Sequence, residues 1–250
     1  MLITSRENPQ IKLAVRLRES AKARREHGLF FLEGYRLCND ALEHGFAPQA
    51  LYCTETALLK YKPQHENITL ISDHVTQKLA DTQTPQGVFG VFNVNHPTPT
   101  GHPSAEGNYL ALENLQDPAN LGAIARTAEA LGLDGLVVSG GCDIYHPKAL
   151  RAGMGALLRL PVMQADDLPC FLRTSDLPSF AAVLSEDATP LPLCDFSAGC
   201  VIAIGNEGNG LSREAIQACK QKLMIPMAGK AESLNAAAAA AIIMWEAVSR

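Results

Sequence analysis

Residues 223–250 read LMIPMAGKAESLNAAAAAAIIMWEAVSR. A short apolar strand, Leu223 to Ile225, meets a proline, and a polar loop from Ala228 to Asn235 follows. Ten consecutive apolar residues then run from Ala236 to Trp245, the first six of them alanine. That run is about half the length a membrane span requires, so it reads as a helix of a soluble protein. Its first turns carry almost no side-chain bulk. Another backbone, or a ligand held by backbone groups, can therefore come very close. The loop that precedes the helix is expected to be the functional end.

Working outward, the chain of 250 residues is 47% hydrophobic and 19% charged, a balance suited to one large or two modest folded domains rather than a disordered chain. Arg6 and Glu7 interrupt the start before an apolar leader could form, which predicts a cytoplasmic protein without a membrane anchor. The seven cysteines are odd in number and form no CxxC pair, so they read as reduced, mostly buried small hydrophobes. The seven histidines lack ligand spacing, and no metal site is expected. The net charge of −5 conceals an asymmetry, because residues 1–25 hold seven basic and two acidic residues. A basic N-terminal helix, Ile11 to Arg25, on an acidic body has two readings. It is either a solvated face or a polyanion contact through Arg6, Lys12, Arg16, Arg24 and Arg25.

Asn93 to Asn108 reads NVNHPTPTGHPSAEGN, a linker between residues 1–92 and residues 109–250. The first part alternates helix and strand, with strands expected at Phe30–Leu32, Ala50–Cys53 and Gly87–Phe92. The second repeats strand, loop and helix, with a helix expected at Asn120–Leu131 and another at Pro147–Leu158. Short buried strands are expected at Tyr109–Leu112, Leu136–Ser139, Ala181–Leu184, Val201–Ile204 and Leu223–Ile225. Such alternation predicts an α/β fold with a mostly parallel sheet, and ligands then bind beyond the carboxyl ends of the strands.

Three strand-following loops carry the chemistry. In ENLQDPANLGAIARTAEALG, residues 113–132, Asn120 is expected at the helix N-cap and Arg126 off the apolar stripe. Taken alone, these read as a cap and a partner for Glu129. In VIAIGNEGNGLS, residues 201–212, the glycines Gly205, Gly208 and Gly210 fit neither GxGxxG nor a P-loop. Glu207 in mid-loop would repel a phosphate. Electrostatics thus disfavours dinucleotides and ATP and allows a cationic or zwitterionic cofactor such as S-adenosylmethionine. In the opening stretch, Ile225 and Leu234 bracket a loop bearing Lys230, Glu232, Ser233 and Asn235, where apolar side chains can sandwich a purine. Ser233 or Asn235 is the expected cap of the alanine helix.

In order and spacing, NLQDPANLGAIARTAEALG, IAIGNEGNGLS and IPMAGKAESLNAAAAAAI resemble the SpoU (TrmH-type) RNA 2′-O-ribose methyltransferases of the SPOUT superfamily. PKALRAGMGALLRLPV, residues 147–162, is similar to the family as well. SRENPQIK, FFLEGYRL and TPQGVFGVF resemble its small ribosomal-protein-like substrate-binding domain. The sequence departs from the family's pattern at Gly153, Asn209 and Ala237.

The resemblance implies a deep C-terminal trefoil knot, S-adenosylmethionine as cofactor, and a homodimer whose active site draws on both subunits. It places Gly205, Asn206, Gly208, Ile225 and Leu234 at the cofactor, and Asn120, Arg126, Glu207, Ser233 and Asn235 at the reaction centre. Arg126 is implicated either as the base or, since arginine is almost never neutral, as a clamp on the adjacent phosphate. Glu207 would fix the loop, or Arg126 itself. The substrate implied is ribosomal RNA ahead of transfer RNA. A non-catalytic RNA-binding or assembly factor, and a base methyltransferase, remain alternatives.

Overall fold

A computed structural model describes residues 2–63, 65, 67–94, 104 and 106–249, so most of the expected linker lies outside the described residues. The chain divides into two compact units. One comprises Met1–Pro97 with Tyr145–Arg159, and the other comprises Thr98–Ile144 with Leu160–Arg250. The segment Tyr145–Arg159, which the sequence reading places in 109–250, thus packs with the first unit.

The first unit runs β1 (Leu2–Ile3), α1 (Pro9–Glu19), α2 (Ala21–His27), β2 (Leu29–Glu33), α3 (Tyr35–Glu43), β3 (Pro48–Cys53), α4 (Glu55–Tyr61), β4 (Ile68–Ile71), α5 (Asp73–Leu79) and β5 (Val88–Asn93). Its sheet has the order β1-β4-β3-β5-β2, with β5 antiparallel to both neighbours. Ile11, Ala14, Val15, Phe31, Tyr52, Val75, Leu79 and Phe89 share one buried cluster. The basic helix expected over Ile11–Arg25 is two helices. Ser20 breaks them by turning extended and accepting the Ala23 N–H on its side chain at 3.2 Å. A serine offers the backbone this alternative partner, and no apolar stripe continues through the break to oppose it.

The second unit begins with β6 (Asn108–Glu113), α6 (Pro118–Leu131) and β7 (Gly135–Ser139). The chain then visits the first unit as α7 (Pro147–Ala152) and α8 (Ala156–Arg159). These replace the single helix expected over Pro147–Leu158, because Met154 and Gly155 adopt φ of 48° and 87° and end the first turn set. Next come β8 (Val162–Gln164), α9 (Leu168–Thr174), β9 (Ser179–Ala182), β10 (Thr189–Pro190), β11 (Cys200–Ile204), α10 (Arg213–Ala218), β12 (Gln221–Met224) and α11 (Ala236–Val248). The sheet order is β10-β12-β9-β11-β6-β7-β8, and every pairing is parallel. Strands buried on both faces explain why β6, β7 and β11 read as continuous apolar runs. Tyr109, Ala111, Val201 and Ala203 share a cluster with Leu168, Leu172 and Ala215 of α9 and α10. Their alternates Leu110, Leu112 and Ile202 are equally buried and point to the opposite face. Helices α6 and α11 pack against each other, and α11 also reaches β6. To arrive there from β12, the chain passes the width of β9 and β11.

Helix α6 starts earlier than Asn120. Asp117 is its N-cap, accepting the Ala119 N–H at 3.0 Å, and Pro118 occupies the first turn. Asp-Pro is a stronger start signal than Asn120, because proline loses no hydrogen bond there and its φ is already helical. Asn120 is thereby freed from capping.

Candidate active site

Strand β11 delivers its chain into the 205–212 turn, which is held from both ends. A Cβ on Gly205 would lie 2.0 Å from the carbonyl carbon of Gly210 and 2.1 Å from the Leu211 nitrogen, so no side chain fits there. Asn206 and Gly210 exchange backbone hydrogen bonds at 3.0 and 2.9 Å, and Gly210 has a φ of 68°. The Asn206 side chain accepts from the N–H groups of Gly208 and Asn209 and donates to the Asn114 carbonyl. At the far end Glu113, buried at the end of β6, accepts the Ser212 N–H and hydroxyl, each at 2.6 Å. Ser212 in turn caps α10 through Ala215.

The three chemistry-bearing loops meet through Glu207. Its Oε1 accepts from the Asp117 N–H and the Asn120 side-chain amide, both at 3.0 Å, and its Oε2 accepts from the Gln116 N–H at 2.9 Å. Partial burial by itself would raise this carboxyl. The bonds from Asn120, Gln116 and Asp117 outweigh it and hold the group below its ordinary 4.5. Asn120 Oδ1 accepts from the Asn235 amide at 3.1 Å. The Asn235 side-chain oxygen Oδ1 caps α11 by accepting from the N–H groups of Ala237 and Ala238. One continuous chain of bonds, Asn235–Asn120–Glu207, thus fastens the alanine helix, the start of α6 and the glycine turn together. Glu207 makes no bond to Arg126 among the described residues.

Beside this junction lies a cavity of about 590 Å³, at the carboxyl ends of β9, β11 and β12. It is lined by Gly205, Asn206, Gly208, Ile225 and Leu234, all five residues expected at the cofactor, and also by Glu207 and Ser233. Leu184, Ser185, Met224 and Met227 join the lining without having been anticipated. The rule that ligands sit beyond strand ends pointed to this region, but β9 ends two residues earlier than expected, which turns Leu184 out of the strand and into the rim. Leu223, Ile225, Leu234 and Ile243 provide apolar walls. Glu207 and Glu232 bring negative charge, while Lys222 is engaged by Asp187 at 2.6 Å. Apolar walls, loop backbone groups and carboxylates suit a purine with a cationic tail, and the set fits S-adenosylmethionine better than any phosphate-bearing cofactor.

Arg126 stands apart. It is exposed on α6, about 9 Å along the axis and about 120° around it from Asn120, and has no hydrogen bond or ion pair among the described residues. It does not line the cavity. Ser233 is exposed at the cavity rim.

The expected polyanion face is thinner than its sequence charge. Arg24 is 2% exposed and donates to the carbonyls of Leu17 and Arg18 at 2.6 and 3.2 Å, so it closes the end of α1 and is out of reach of RNA. Arg6 donates to the His74 carbonyl and the Gln77 side chain. Lys12 pairs with Glu7 at 2.6 Å and Arg16 with Glu26 at 3.7 Å, both at the surface. Arg25 is exposed.

Comparison with known proteins gives this geometry a lineage. Residues 107–245 match the SpoU rRNA Methylase family, and residues 8–90 match the MRM3-like substrate binding domain. The chain is 34% identical to an uncharacterized tRNA/rRNA methyltransferase of Synechocystis sp., over 98% of this chain and 92% of that protein. It is 29% identical to the 23S rRNA (guanosine(2553)-2′-O)-methyltransferase RlmP of Bacillus subtilis, over 97% of each. The crystal structure of an AdoMet-bound rRNA methyltransferase from Sinorhizobium meliloti superposes with a TM-score of 0.87 at 30% identity, covering 99% of this chain and 97% of that one. The parallel sheet of the second unit, with its C-terminal helix carried back across β9 and β11 to α6, is accordingly the trefoil-knotted methylase domain, and the chain belongs to the SpoU rRNA methylase family.

Proposed function

We propose that the protein transfers a methyl group from S-adenosylmethionine to a ribose 2′-hydroxyl of ribosomal RNA. The observation that carries this reading is the Asn235–Asn120–Glu207 junction beside a cavity that favours a cation and disfavours phosphate. RlmP of Bacillus subtilis bears the same activity in its name, and the Sinorhizobium meliloti structure holds the same cofactor.

When bound, the cofactor supplies an electrophilic methyl on a sulfonium. The chain's own residues do the rest. Gly205, Ile225 and Leu234 offer backbone and apolar contacts that seat the adenosine portion. Glu207 and Asn120 hold the turn and α6 at fixed spacing, so the ribose meets the methyl in line rather than after a search. Arg126 clamps the phosphate next to the target ribose, and the hydroxyl proton passes by way of that phosphate to solvent water. A guanidinium is a poor base at neutral pH but a strong bidentate phosphate ligand.

Arg126 does not line its own cavity and makes no hydrogen bond or ion pair among the described residues, which supports a second element of the proposal: a two-fold dimer in which Arg126 of one subunit serves the cavity of the other. Trp245 and Ile242, 61% and 43% exposed on α11, supply an apolar patch for that contact.

Incubating the protein with labelled cofactor and ribosomal RNA from cells lacking it tests the reading. Label is expected in RNA at a site that resists alkaline cleavage. Cofactor binding with no transfer to any unmodified ribosomal RNA would overturn the enzyme, and transfer without alkaline resistance would move the target to a base. Arg126→Ala is expected to keep cofactor affinity and lose transfer by about a hundredfold or more.

A further inference from the structure

The first unit carries an aromatic pair that is not fully buried. Tyr35, the first residue of α3, and Tyr61, the last of α4, stack with ring centroids 5.0 Å apart and planes at 14°. Neither ring belongs to the unit's buried cluster, and both stay partly exposed. The Tyr35 N–H is held by the Gln86 side chain at 2.9 Å, which fixes the ring's base. Lys60 Nζ sits over the Tyr61 ring, 4.9 Å from its centroid. Arg36, Lys60 and Lys62 are exposed and make no ion pair among the described residues. Lys12, Arg16 and Lys22 of α1 and α2, in contrast, all have glutamate partners.

We propose that Tyr35 and Tyr61, flanked by Arg36, Lys60 and Lys62, form a stacking platform for an unpaired nucleotide of the RNA substrate. This rests on the RNA reading of the protein given above. Two stacked, partly exposed rings match the π-face of a base, which any single-stranded nucleotide offers, and the cations match its phosphates. An exposed lysine over a tyrosine is held weakly, and base stacking on an aromatic side chain is the stronger interaction. An incoming base therefore displaces Lys60 from Tyr61, and the released ammonium meets a phosphate. An acidic peptide would satisfy the cations but has nothing to place on the rings.

The test uses the full chain, a fluorescein-labelled oligoadenylate of about a dozen nucleotides, and a blunt RNA hairpin as the paired comparison. Tyr61→Leu is expected to weaken oligoadenylate binding about tenfold and hairpin binding by less than about twofold. Tyr61→Phe, which keeps the stack, is expected to restore oligoadenylate binding, and S-adenosylmethionine affinity should stay constant throughout. The platform is overturned if the leucine variant binds like wild type, if phenylalanine fails to rescue it, if the wild-type chain does not bind oligoadenylate, or if polyglutamate competes as well as RNA. Oligoadenylate binding without methyl transfer would remove the proposed activity and leave the platform standing. Wild-type binding and transfer in Tyr61→Leu would remove only the platform.

Discussion

Both carboxylate oxygens of Glu207 are occupied by donors from the start of α6, two of them backbone N–H groups. An acceptor-only side chain is what that position needs, because Gln116, Asp117 and Asn120 all donate. Since the folded carboxyl titrates below the ordinary 4.5, its bonds stabilise the turn at every pH above 4.5 and are lost as pH falls below it. Cofactor affinity measured against pH should therefore be flat above that value and decline on the acid side. Glu207→Gln keeps one acceptor oxygen, so it should bind cofactor about tenfold more weakly at neutral pH and show no acid decline. An unchanged acid limb in the glutamine variant would assign that limb to another group. Arg24 makes the opposite lesson visible. Its charge counted toward a polyanion face in the sequence, yet burial turns it inward as a cap on α1.

At the scale of elements, α11 is decided by its N-cap residue. Six alanines remove bulk but give the helix no direction, and Asn235 supplies both a cap and a tie to α6. The two roles separate by substitution. Asn235→Ala should lower stability by about 1 kcal/mol through the lost cap. Asn235→Asp keeps the capping oxygen but cannot donate to Asn120, so its melting temperature should stay near wild type while transfer falls. Equal loss of stability in both variants would mean that the tie, not the cap, holds the helix. The breaks at Ser20 and at Met154–Gly155 were written in single residues, but the surrounding helical periodicity masked them.

For the whole molecule, the proposed dimer predicts that Trp245→Glu sediments as a monomer. A glutamate in a dry apolar contact costs several kcal/mol unless it finds a partner. The monomer should still bind S-adenosylmethionine, because Gly205, Ile225 and Leu234 line the cavity within one chain, and should lose transfer, because Arg126 lies outside it. A dimeric Trp245→Glu protein would place the interface elsewhere.

The sequence by itself determined the parallel α/β class and, to within about two residues, five of the second unit's seven strands, all but β8 and β10. Apolar runs and glycine turns are local, and their physics is local too. The tertiary structure alone decided that Asn120 bridges rather than caps, and that Glu207 bonds to Gln116, Asp117 and Asn120 at the start of α6. It alone stacked Tyr35 on Tyr61 across 26 residues of chain, and it alone left Arg126 without a partner among the described residues. Each of these is a choice between hydrogen-bond, ring or charge partners distant in sequence. Such choices are made by which loops the knot and sheet bring within a few ångströms, a quantity that spacing along the chain does not contain.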